Sequence, residues 1–489
     1  MTLAQTDAAA GAAQHRSGQL PALVVAVLAG LLLTALFQLP DPLVRHDDYP
    51  ALWADPALFY SKTLTEGRWI NYLWHLRGMV TPAWLNFLAY QLLWAVYLGC
   101  LVHNAFGPGV ELWRRAMVAL VAGLCLPWVL ISLWFNTLIP GLAILALYAW
   151  FTTRTSERAS RWLMVVFVPA ALMAYTTYPF LILALSLTRA GVARSARDLA
   201  GLLALFIASF ALGMLAIYTL NYAEHGVFGV PMAEWRHPSP AHDLASALEN
   251  ARLAGHFLTS LAMKGSYNNL FVLLLQGALF AAATAAVLRQ DRWRGLYMLA
   301  GAGLGVALIC VQVIRTGIDT PVRSGGFLWI YLAVFLGLFT LHLKAEGRDR
   351  LGRNLLFTVA AAYAIFTGML HHSFTEWQRL SRAMAAELMG GTGPVYVTGT
   401  YLGLPEAVES DLQKAQAVAF RLGHLTGREI VMCEEAPERC ESLPEELRAG
   451  HAGAGYAVRE IEGVTVLLLP PEPLREEKLE AARKRRAAE

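Results

Sequence analysis

Charged residues are scarce in this chain of 489 residues: Asp, Glu, Lys and Arg make up 15%, whereas apolar residues make up 56%. The mean hydropathy is +0.45. A soluble protein carries about a quarter charged residues, so this composition excludes an ordinary soluble protein. The net charge of +3 gives no strongly basic surface for nucleic acid. The sequence also has no glycine-rich loop of the kind that cradles nucleotide phosphates.

The apolar residues occur in long runs that are typical of a polytopic α-helical membrane protein. The first run has no compact basic segment before it and no small-residue cleavage site after it, so we expect an uncleaved helix. We predict about eleven membrane-spanning helices, at 20–39, 82–102, 116–134, 138–151, 162–175, 178–188, 199–220, 268–288, 295–314, 327–343 and 354–371.

The interiors of these runs contain no Asp, Glu, Lys or Arg. Ion-coupled transporters hold their ions and protons on such groups at mid-membrane depth, so this absence counts against a pump or a secondary transporter. The ionisable residues are concentrated in the connecting loops instead. Any chemistry is therefore expected at the membrane surface.

The distribution of Lys and Arg predicts the orientation. With the N-terminus inside, fifteen of them fall in the short cytoplasmic loops and nine in outer loops of about twice the length. This count requires a break between 162–175 and 178–188, at the sequence YTTYP; a single long tilted helix is the alternative. We predict a cytoplasmic N-terminus, disordered over 1–19, and an outer C-terminus.

The chain after the last span has a different composition, rich in charge and turn residues. PVYVTG at 394–399 and EIVMC at 429–433 are typical of strands, 405–424 of a helix, and YAVREIEGVTVLLL of a hairpin that turns at Glu462–Gly463. We predict a small periplasmic α/β domain over 372–473, followed by a charged tail at 474–489. The transmembrane domain is then 20–371, with outer loops 40–81, 221–267 and 315–326.

Only five cysteines occur, and three of them lie in apolar runs. Cys433 and Cys440 lie in the C-terminal domain, where an oxidising compartment would allow a disulfide. Two free thiols are the alternative. No spacing of His, Cys, Asp and Glu is typical of a metal site.

The outer loop 40–81 combines aromatic and basic residues, including Arg68, His75 and Arg77. This combination suits a helix that lies in the membrane interface, and an interfacial belt without catalytic function explains the aromatics equally well. The segment VRHDDYP at 44–50 is less easily explained in that way. Its adjacent carboxylates, Asp47 and Asp48, follow the first span directly, and we interpret them as functional.

Other outer loops contribute cations that could bind a phosphate. Arg315 and Arg323 flank a short loop between two spans, and Lys264 lies just before another span. Guanidinium groups present fixed bidentate donors that match a phosphate. Solvated charges that bind lipid headgroups are the alternative. A lipid-linked phosphate fits this set of residues.

The first span, the Asp pair after it and the sequence Gly67-Arg68-Trp69 together resemble the GT-C superfamily of polyprenyl-phosphate-sugar-dependent glycosyltransferases. Within it the chain is most similar to the bacterial Gtr type-II, O-antigen-modifying glucosyltransferases, and YTTYP resembles a tyrosine-containing turn of that group. The resemblance covers roughly 20–371. It implies a GT-C-like fold in the bacterial inner membrane, with an active site that faces the periplasm.

The resemblance also implies an inverting transfer of a hexose or pentose from polyprenyl phosphate to an envelope glycan or a lipid-linked acceptor. Asp48 would be the general base, and Asp47 would orient the acceptor or ligate a divalent cation such as Mg or Mn. The donor phosphate would be bound by Arg315, Arg323, Lys264 and Arg68, and the acceptor or sugar by His46, Tyr49, His75, Tyr175 and Tyr178.

A flippase for lipid-linked glycans is the main alternative function. It would also have many spans and basic outer loops, but it would be expected to line a central cavity with charge. A second outer carboxylate that could share a metal with Asp47 does not stand out, although Glu224, Glu234, Asp243 and Asp319 are all candidates. The sequence identifies neither the sugar nor the acceptor.

Overall fold

The computed structural model describes residues 3–453, 455–461 and 463–486. The chain divides into two compact units. The helical unit comprises Met1–Leu36 and Pro50–Thr367, and the C-terminal unit comprises Phe37–Tyr49 and Gly368–Glu489. The short segment that carries the Asp pair thus belongs to the C-terminal unit, whereas residues 50–81 of the same loop belong to the helical unit.

The helices of the first unit vary widely in length. They are α1 (Leu3–Thr34), α2 (Tyr49–Trp53), α3 (Ser61–Glu66), α4 (Trp69–His75), α5 (Ala83–Phe106), α6 (Leu112–Gly123), α7 (Leu126–Ile131), α8 (Phe135–Thr152), α9 (Glu157–Ala174), α10 (Tyr178–Thr188), α11 (Ala196–His225), α12 (Leu244–Gly265), α13 (Leu270–Gln290), α14 (Arg292–Thr316), α15 (Phe327–Ala345) and α16 (Asp349–Leu388), of which α2 and α16 continue into the C-terminal unit.

Seven helical segments in the described residues are long and apolar enough to cross a membrane: Ala83–Phe106, Leu126–Thr152, Ala196–His225, Leu270–Gln290, Arg292–Thr316, Phe327–Ala345 and Asp349–Leu388. Two shorter apolar helices are Gln19–Thr34 and Tyr178–Thr188. The protein is therefore mostly helical and of the multi-pass membrane type. These seven long segments are fewer than the roughly eleven spans predicted from the sequence. Helical geometry also extends back to Leu3, into the alanine-rich segment expected to be disordered.

Two predicted boundaries are wrong. A continuous helix over 116–134 is not formed, because α6 ends at Gly123 and α7 begins at Leu126. Cys125 is extended at this break, and Pro127 lies in the first turn of α7, where its missing N–H needs no partner. The next predicted span, 138–151, is instead the second half of a segment that runs from Leu126 to Thr152.

The predicted break at YTTYP is confirmed. Helix α9 ends at Ala174, Tyr175 is extended, and α10 begins at Tyr178 with Pro179 in its first turn. Proline tolerates the first turn of a helix because its missing N–H has no partner there. The two halves pack on each other rather than forming one tilted helix.

The C-terminal unit contains a four-stranded mixed sheet in the order β2-β1-β4-β3. The strands are β1 (Val395–Thr398), β2 (Ile430–Met432), β3 (Ala457–Ile461) and β4 (Val464–Leu468). Strand β1 pairs in parallel with β2 and β4, with Val395 opposite Ile430 and Thr465, and β3 is antiparallel to β4. The predicted strands and hairpin are confirmed, although Glu462 of the turn lies outside the described residues.

Helices complete the C-terminal unit. They are α17 (Pro405–Glu409), α18 (Gln416–Thr426), α19 (Glu445–Arg448) and α20 (Glu476–Arg486), together with the end of α16. Among them, α18 packs against β2. The single helix predicted over 405–424 is wrong, since Asp411 has a φ of 54° and interrupts it between α17 and α18. Helix α20 occupies most of the charged tail. The last predicted span also continues, as α16, to Leu388.

Of the two alternatives for Cys433 and Cys440, the structure has the disulfide. Cys433 and Cys440 are bonded and close a loop after β2. Cys440 is 2% exposed, in a small apolar core with Val431, Leu443, Leu447, Val466 and Leu468. The bridge therefore fixes the loop 434–439 against the face of the sheet.

Candidate functional site

The Asp pair lies in a short 3-10 turn, His46–Asp48, between the end of α1 and the start of α2. The Asp48 amide donates to the Arg45 carbonyl at 3.0 Å and closes this turn. Asp48 is fully buried, whereas Asp47 and His46 are partly exposed. Of the two carboxylates, Asp47 is thus the one that solvent reaches.

The residues on either side of the pair are held inside the C-terminal unit. Arg45, 4% exposed, forms an ion pair with Asp411 at 3.1 Å and donates to the Ser410 carbonyl at 3.2 Å. Tyr49 is 1% exposed and packs against the ring of Phe420 at 5.8 Å. Burial raises the pKa of Tyr49 to about 12, with the nearby Arg421 opposing the shift. Tyr49 is consequently a neutral phenol at physiological pH.

Helix α4 is fixed to three other parts of the helical unit. The Trp69 indole donates to Asn221 of α11 at 2.9 Å, Asn71 donates to the Ala174 carbonyl at 2.8 Å, and Trp74 donates to the Asn136 carbonyl at 3.0 Å. Such side-chain bonds fix the orientation of a helix that is too short to be stable alone. Two of the aromatic residues predicted for the membrane interface, Trp69 and Trp74, therefore anchor α4 to neighbouring helices.

Gly67 forms the corner between α3 and α4. Its φ is 68°, in the left-handed region, and a Cβ built there would lie 2.8 Å from the side chain of Ile217. Both the backbone conformation and the close approach of α11 require glycine at this position. This accounts for the glycine in the Gly67-Arg68-Trp69 sequence and for the sharp turn that places Arg68.

Arg68 lies at this corner beside a carboxylate that the sequence analysis missed. It pairs with Glu66 at 2.6 Å and lies over the ring of Tyr175, 5.1 Å from its centroid. Arg236 reaches the same carboxylate at 3.2 Å, and the Glu66 side chain is 9% exposed. Tyr178 is 5.3 Å from Tyr175 and is buried in α10. The structure thus brings Arg68, Tyr175 and Tyr178 together, as part of a charged and aromatic cluster.

His75 was predicted to contact the acceptor or the sugar, but its ring is fully buried. It stacks on Phe59 with 4.0 Å between ring centroids, and its Nδ1 lies 2.5 Å from the Asn71 carbonyl. Burial lowers the pKa of His75 to about 4, so the ring is neutral near pH 7. In this position it supports the packing of α4.

The other predicted cations lie in different surroundings of the helical unit. Arg323 lies in the 3-10 turn Val322–Gly325 and over the ring of Trp134, 4.2 Å from its centroid. Lys264 is exposed in the last turn of α12. Helix α12 packs against both that turn and α14, so it joins the elements that carry Lys264, Arg323 and Arg315.

Arg315 lies at one end of an open groove along α11 and α14. The groove has a volume of about 480 Å³ and is otherwise lined by apolar and aromatic side chains, namely Ile207, Phe210, Ala211, Met214, Leu215, Tyr218, Phe228 and Leu308. The positions from Ile207 to Tyr218 extend over about 16 Å of helix, half of the roughly 30 Å hydrocarbon thickness of a bilayer. Many of these side chains are exposed at the protein surface, including Leu215 at 53% and Phe228 at 63%.

The predicted site residues are therefore divided between the two units. His46, Asp47, Asp48 and Tyr49 belong to the C-terminal unit; Arg68, His75, Tyr175, Tyr178, Lys264, Arg315 and Arg323 belong to the helical unit. Among the residues that the structure describes, no three His, Cys, Asp or Glu side chains come together as metal ligands. Two of the candidate metal partners have other contacts: Asp243 caps α12, and Glu224 accepts a hydrogen bond from Tyr60 at 2.8 Å.

Comparison of the chain with protein-family models, with curated proteins and with solved structures finds no match. The geometry of the described residues and the chemistry of their side chains are thus the basis for a functional proposal.

Proposed function

We propose that the chain is an inverting glycosyltransferase of the bacterial inner membrane, which moves a sugar from a polyprenyl phosphate to an envelope glycan or a lipid-linked acceptor on the periplasmic face. The observation that carries the proposal is the groove along α11 and α14. An apolar trough of half-bilayer length with a guanidinium at its end fits an isoprenoid chain that carries a phosphate. We also propose that the chain belongs to the GT-C superfamily of glycosyltransferases.

In the proposed reaction the acceptor hydroxyl attacks the anomeric carbon of the donor sugar. A carboxylate of the Asp pair removes the hydroxyl proton, the bond between the anomeric carbon and the phosphate oxygen breaks, and polyprenyl phosphate leaves with the bonding electrons. Arg315 stabilises the charge that develops on this phosphate, and Arg323 and Lys264 add positive potential. Attack from the side opposite the leaving group inverts the configuration at the anomeric carbon.

The difference in burial between Asp47 and Asp48 changes the roles that the sequence predicts for the two carboxylates. Asp48 is fully buried, whereas the partly exposed Asp47 is the carboxylate that an acceptor hydroxyl can approach. We therefore assign the proton transfer to Asp47 and a supporting role to Asp48. The alternative role for Asp47 is to bind a divalent cation.

The decisive experiment supplies the purified protein in lipid nanodiscs with a panel of radiolabelled polyprenyl-phosphate sugars and envelope glycan acceptors, with and without a chelator. We expect acceptor-dependent release of polyprenyl phosphate from one donor. Asp47→Asn should reduce the rate at least about 100-fold, a loss typical of a missing general base. The control Glu249→Gln removes an exposed carboxylate that lies in the loop 221–267 and has no part in the proposed site, and it should retain the rate.

Failure to transfer sugar from any donor would contradict the proposal. If the same nanodiscs instead moved a lipid-linked sugar between leaflets, the chain would be a translocator. Full transfer by Asp47→Asn would leave the enzyme class intact but overturn the assignment of the base.

A further inference from the structure

The segment 37–49 is bound to the C-terminal unit at several points before it reaches the Asp pair. Gln38 donates to the His371 carbonyl at 2.8 Å and accepts from Gln378 at 3.0 Å. Its side-chain oxygen also accepts from the Leu43 amide at 2.9 Å, which curls the segment back on itself. Gln38 is 1% exposed. These bonds fix the beginning of the segment against α16.

Asp41 is held by two arginines from different helices. Arg421 of α18 approaches it with both terminal nitrogens, one of them 2.8 Å from Oδ1, and Arg382 of α16 pairs with Oδ2 at 2.8 Å. The Arg421 side chain is 7% exposed and the Asp41 side chain 16%. Arg421 is itself oriented by Ser381, whose hydroxyl accepts from its Nε at 3.1 Å. A bidentate, largely buried pair of this kind has a defined geometry.

The other end of the segment contacts the same helix. Tyr49 packs edge-on against Phe420 at 5.8 Å and lies 6.1 Å from the ring of His424. Arg421, Phe420 and His424 all belong to α18. One helix of the C-terminal domain therefore holds both Asp41 and Tyr49, the two residues that bracket the turn with the Asp pair.

We propose that the C-terminal domain is a positioning device for the Asp pair, and that Arg421 is its principal positioning residue. The proposal rests on the function proposed above, in which Asp47 acts on the acceptor hydroxyl. A displacement of about 1 Å at a reacting group costs on the order of 100-fold in rate. A domain that fixes the carboxylates through α18 would therefore control the rate of the chemical step without contacting the sugar.

The test compares Arg421→Lys with the matched control Arg428→Lys. Arg428 lies in the same unit and donates to the Leu388 carbonyl at 2.6 Å, the Gly393 carbonyl at 2.8 Å and Thr465 at 3.0 Å, but it is bonded to no residue of the segment 37–49 in the described structure. Lysine keeps the charge at both positions and loses the bidentate geometry. The comparison thus separates positioning of the segment from general stability of the domain.

Hydrogen exchange of the full-length protein in nanodiscs is measured beside the transfer rate. We expect Arg421→Lys to increase exchange in 37–49 and to lower kcat about tenfold or more, with the KM for the donor within about twofold. Arg428→Lys should leave both the exchange of 37–49 and kcat near wild-type values. Unchanged exchange in Arg421→Lys, or equal losses of kcat in the two variants, would overturn the proposal.

The two readouts also separate the proposals from each other. If the wild-type protein transfers no sugar, the proposed function fails, and the exchange data still show whether Arg421 holds the segment. If the wild-type protein is active and the segment 37–49 of Arg421→Lys exchanges hydrogen at the wild-type rate, only the positioning role fails.

Discussion

Glu66, the last residue of α3, is shared by two arginines. Its carboxylate pairs with Arg68, two residues along the chain, and with Arg236 in a different connecting loop. The sequence pattern indicated Arg68 and missed Glu66, because the contact of this carboxylate with Arg236 joins distant segments and leaves no local periodicity. Arg421 was missed for the same reason, since it is far from Asp41 in sequence and bonded to it in the fold.

His75 gives a prediction about pH at this scale. Its pKa is lowered to about 4 from an ordinary value of 6.5, because burial disfavours the charged ring. The unfolded chain binds a proton more readily than the folded one between these values. The contribution of neutral His75 to stability is therefore complete above pH 6.5 and is lost as the pH falls toward 4. We expect the melting temperature to decrease from pH 7 to pH 5 in part through this residue.

The measurement compares wild-type protein with His75→Phe, which keeps a ring against Phe59 and cannot be protonated. The difference in melting temperature between the two proteins should shift in favour of the variant as the pH falls. His256→Phe replaces an exposed histidine in the same way and serves as the control for the substitution itself. A difference for His75→Phe that stays constant as the pH falls would refute the assignment.

Among the helices, a break with a local cause in the sequence was easier to predict than the length of a span. YTTYP combines an extended residue with a proline in the next first turn, and the predicted break is present. A comparable break before Pro127 was missed, because this proline lies inside an otherwise unbroken apolar run. Apolar composition alone does not distinguish a continuous span from two short helices.

The groove supports a prediction on the lipid donor. Leu215 and Leu212 lie on the same helix and are similarly exposed, 53% and 46%, but Leu215 lines the groove and Leu212 is not among the residues that do. Leu215→Trp should fill the groove and raise the KM for the polyprenyl donor about tenfold, whereas Leu212→Trp should have little effect. A tenfold change corresponds to about 1.4 kcal/mol of binding free energy.

Native mass spectrometry with polyprenyl phosphate gives a readout that does not depend on turnover. Loss of the bound lipid in Leu215→Trp and its retention in Leu212→Trp would agree with the groove as the donor site. Equal binding in the two variants would place the lipid elsewhere.

The disulfide supports a prediction on the C-terminal domain. The bond between Cys433 and Cys440 closes a short loop against an apolar core, and a loop of this length corresponds to about 2–3 kcal/mol in the chain-entropy treatment. Cys433→Ser with Cys440→Ser should therefore increase proteolysis of this domain under native conditions. Wild-type protein treated with a reductant should show the same increase, and the double variant should not respond to the reductant. A response of the double variant would mean that the reductant acts on another site.

For the molecule as a whole, composition was sufficient for the class of chain and insufficient for its division into units. The apolar runs predicted a multi-pass helical protein and the punctuated C-terminus predicted a mixed sheet, because both depend on local patterns. The inclusion of 37–49 in the C-terminal unit could not be predicted. It depends on contacts such as Asp41 with Arg421, which only the folded chain brings together.

The orientation in the membrane is the prediction with the widest consequences, because an outward active site requires it. The excess of Lys and Arg in the loops assigned to the cytoplasm favours an outer C-terminus, and a disulfide in the C-terminal domain suits an oxidising compartment. The test starts from a variant with Cys433→Ser and Cys440→Ser. Glu441→Cys then places an exposed thiol in the C-terminal domain, and Arg348→Cys places one in a loop assigned to the cytoplasm.

An impermeant maleimide applied to intact spheroplasts should label Glu441→Cys, and should label Arg348→Cys only after lysis. Labelling of Arg348→Cys with protection of Glu441→Cys would invert the topology. The Asp pair, which belongs to the C-terminal unit, would then require a donor on the cytoplasmic face.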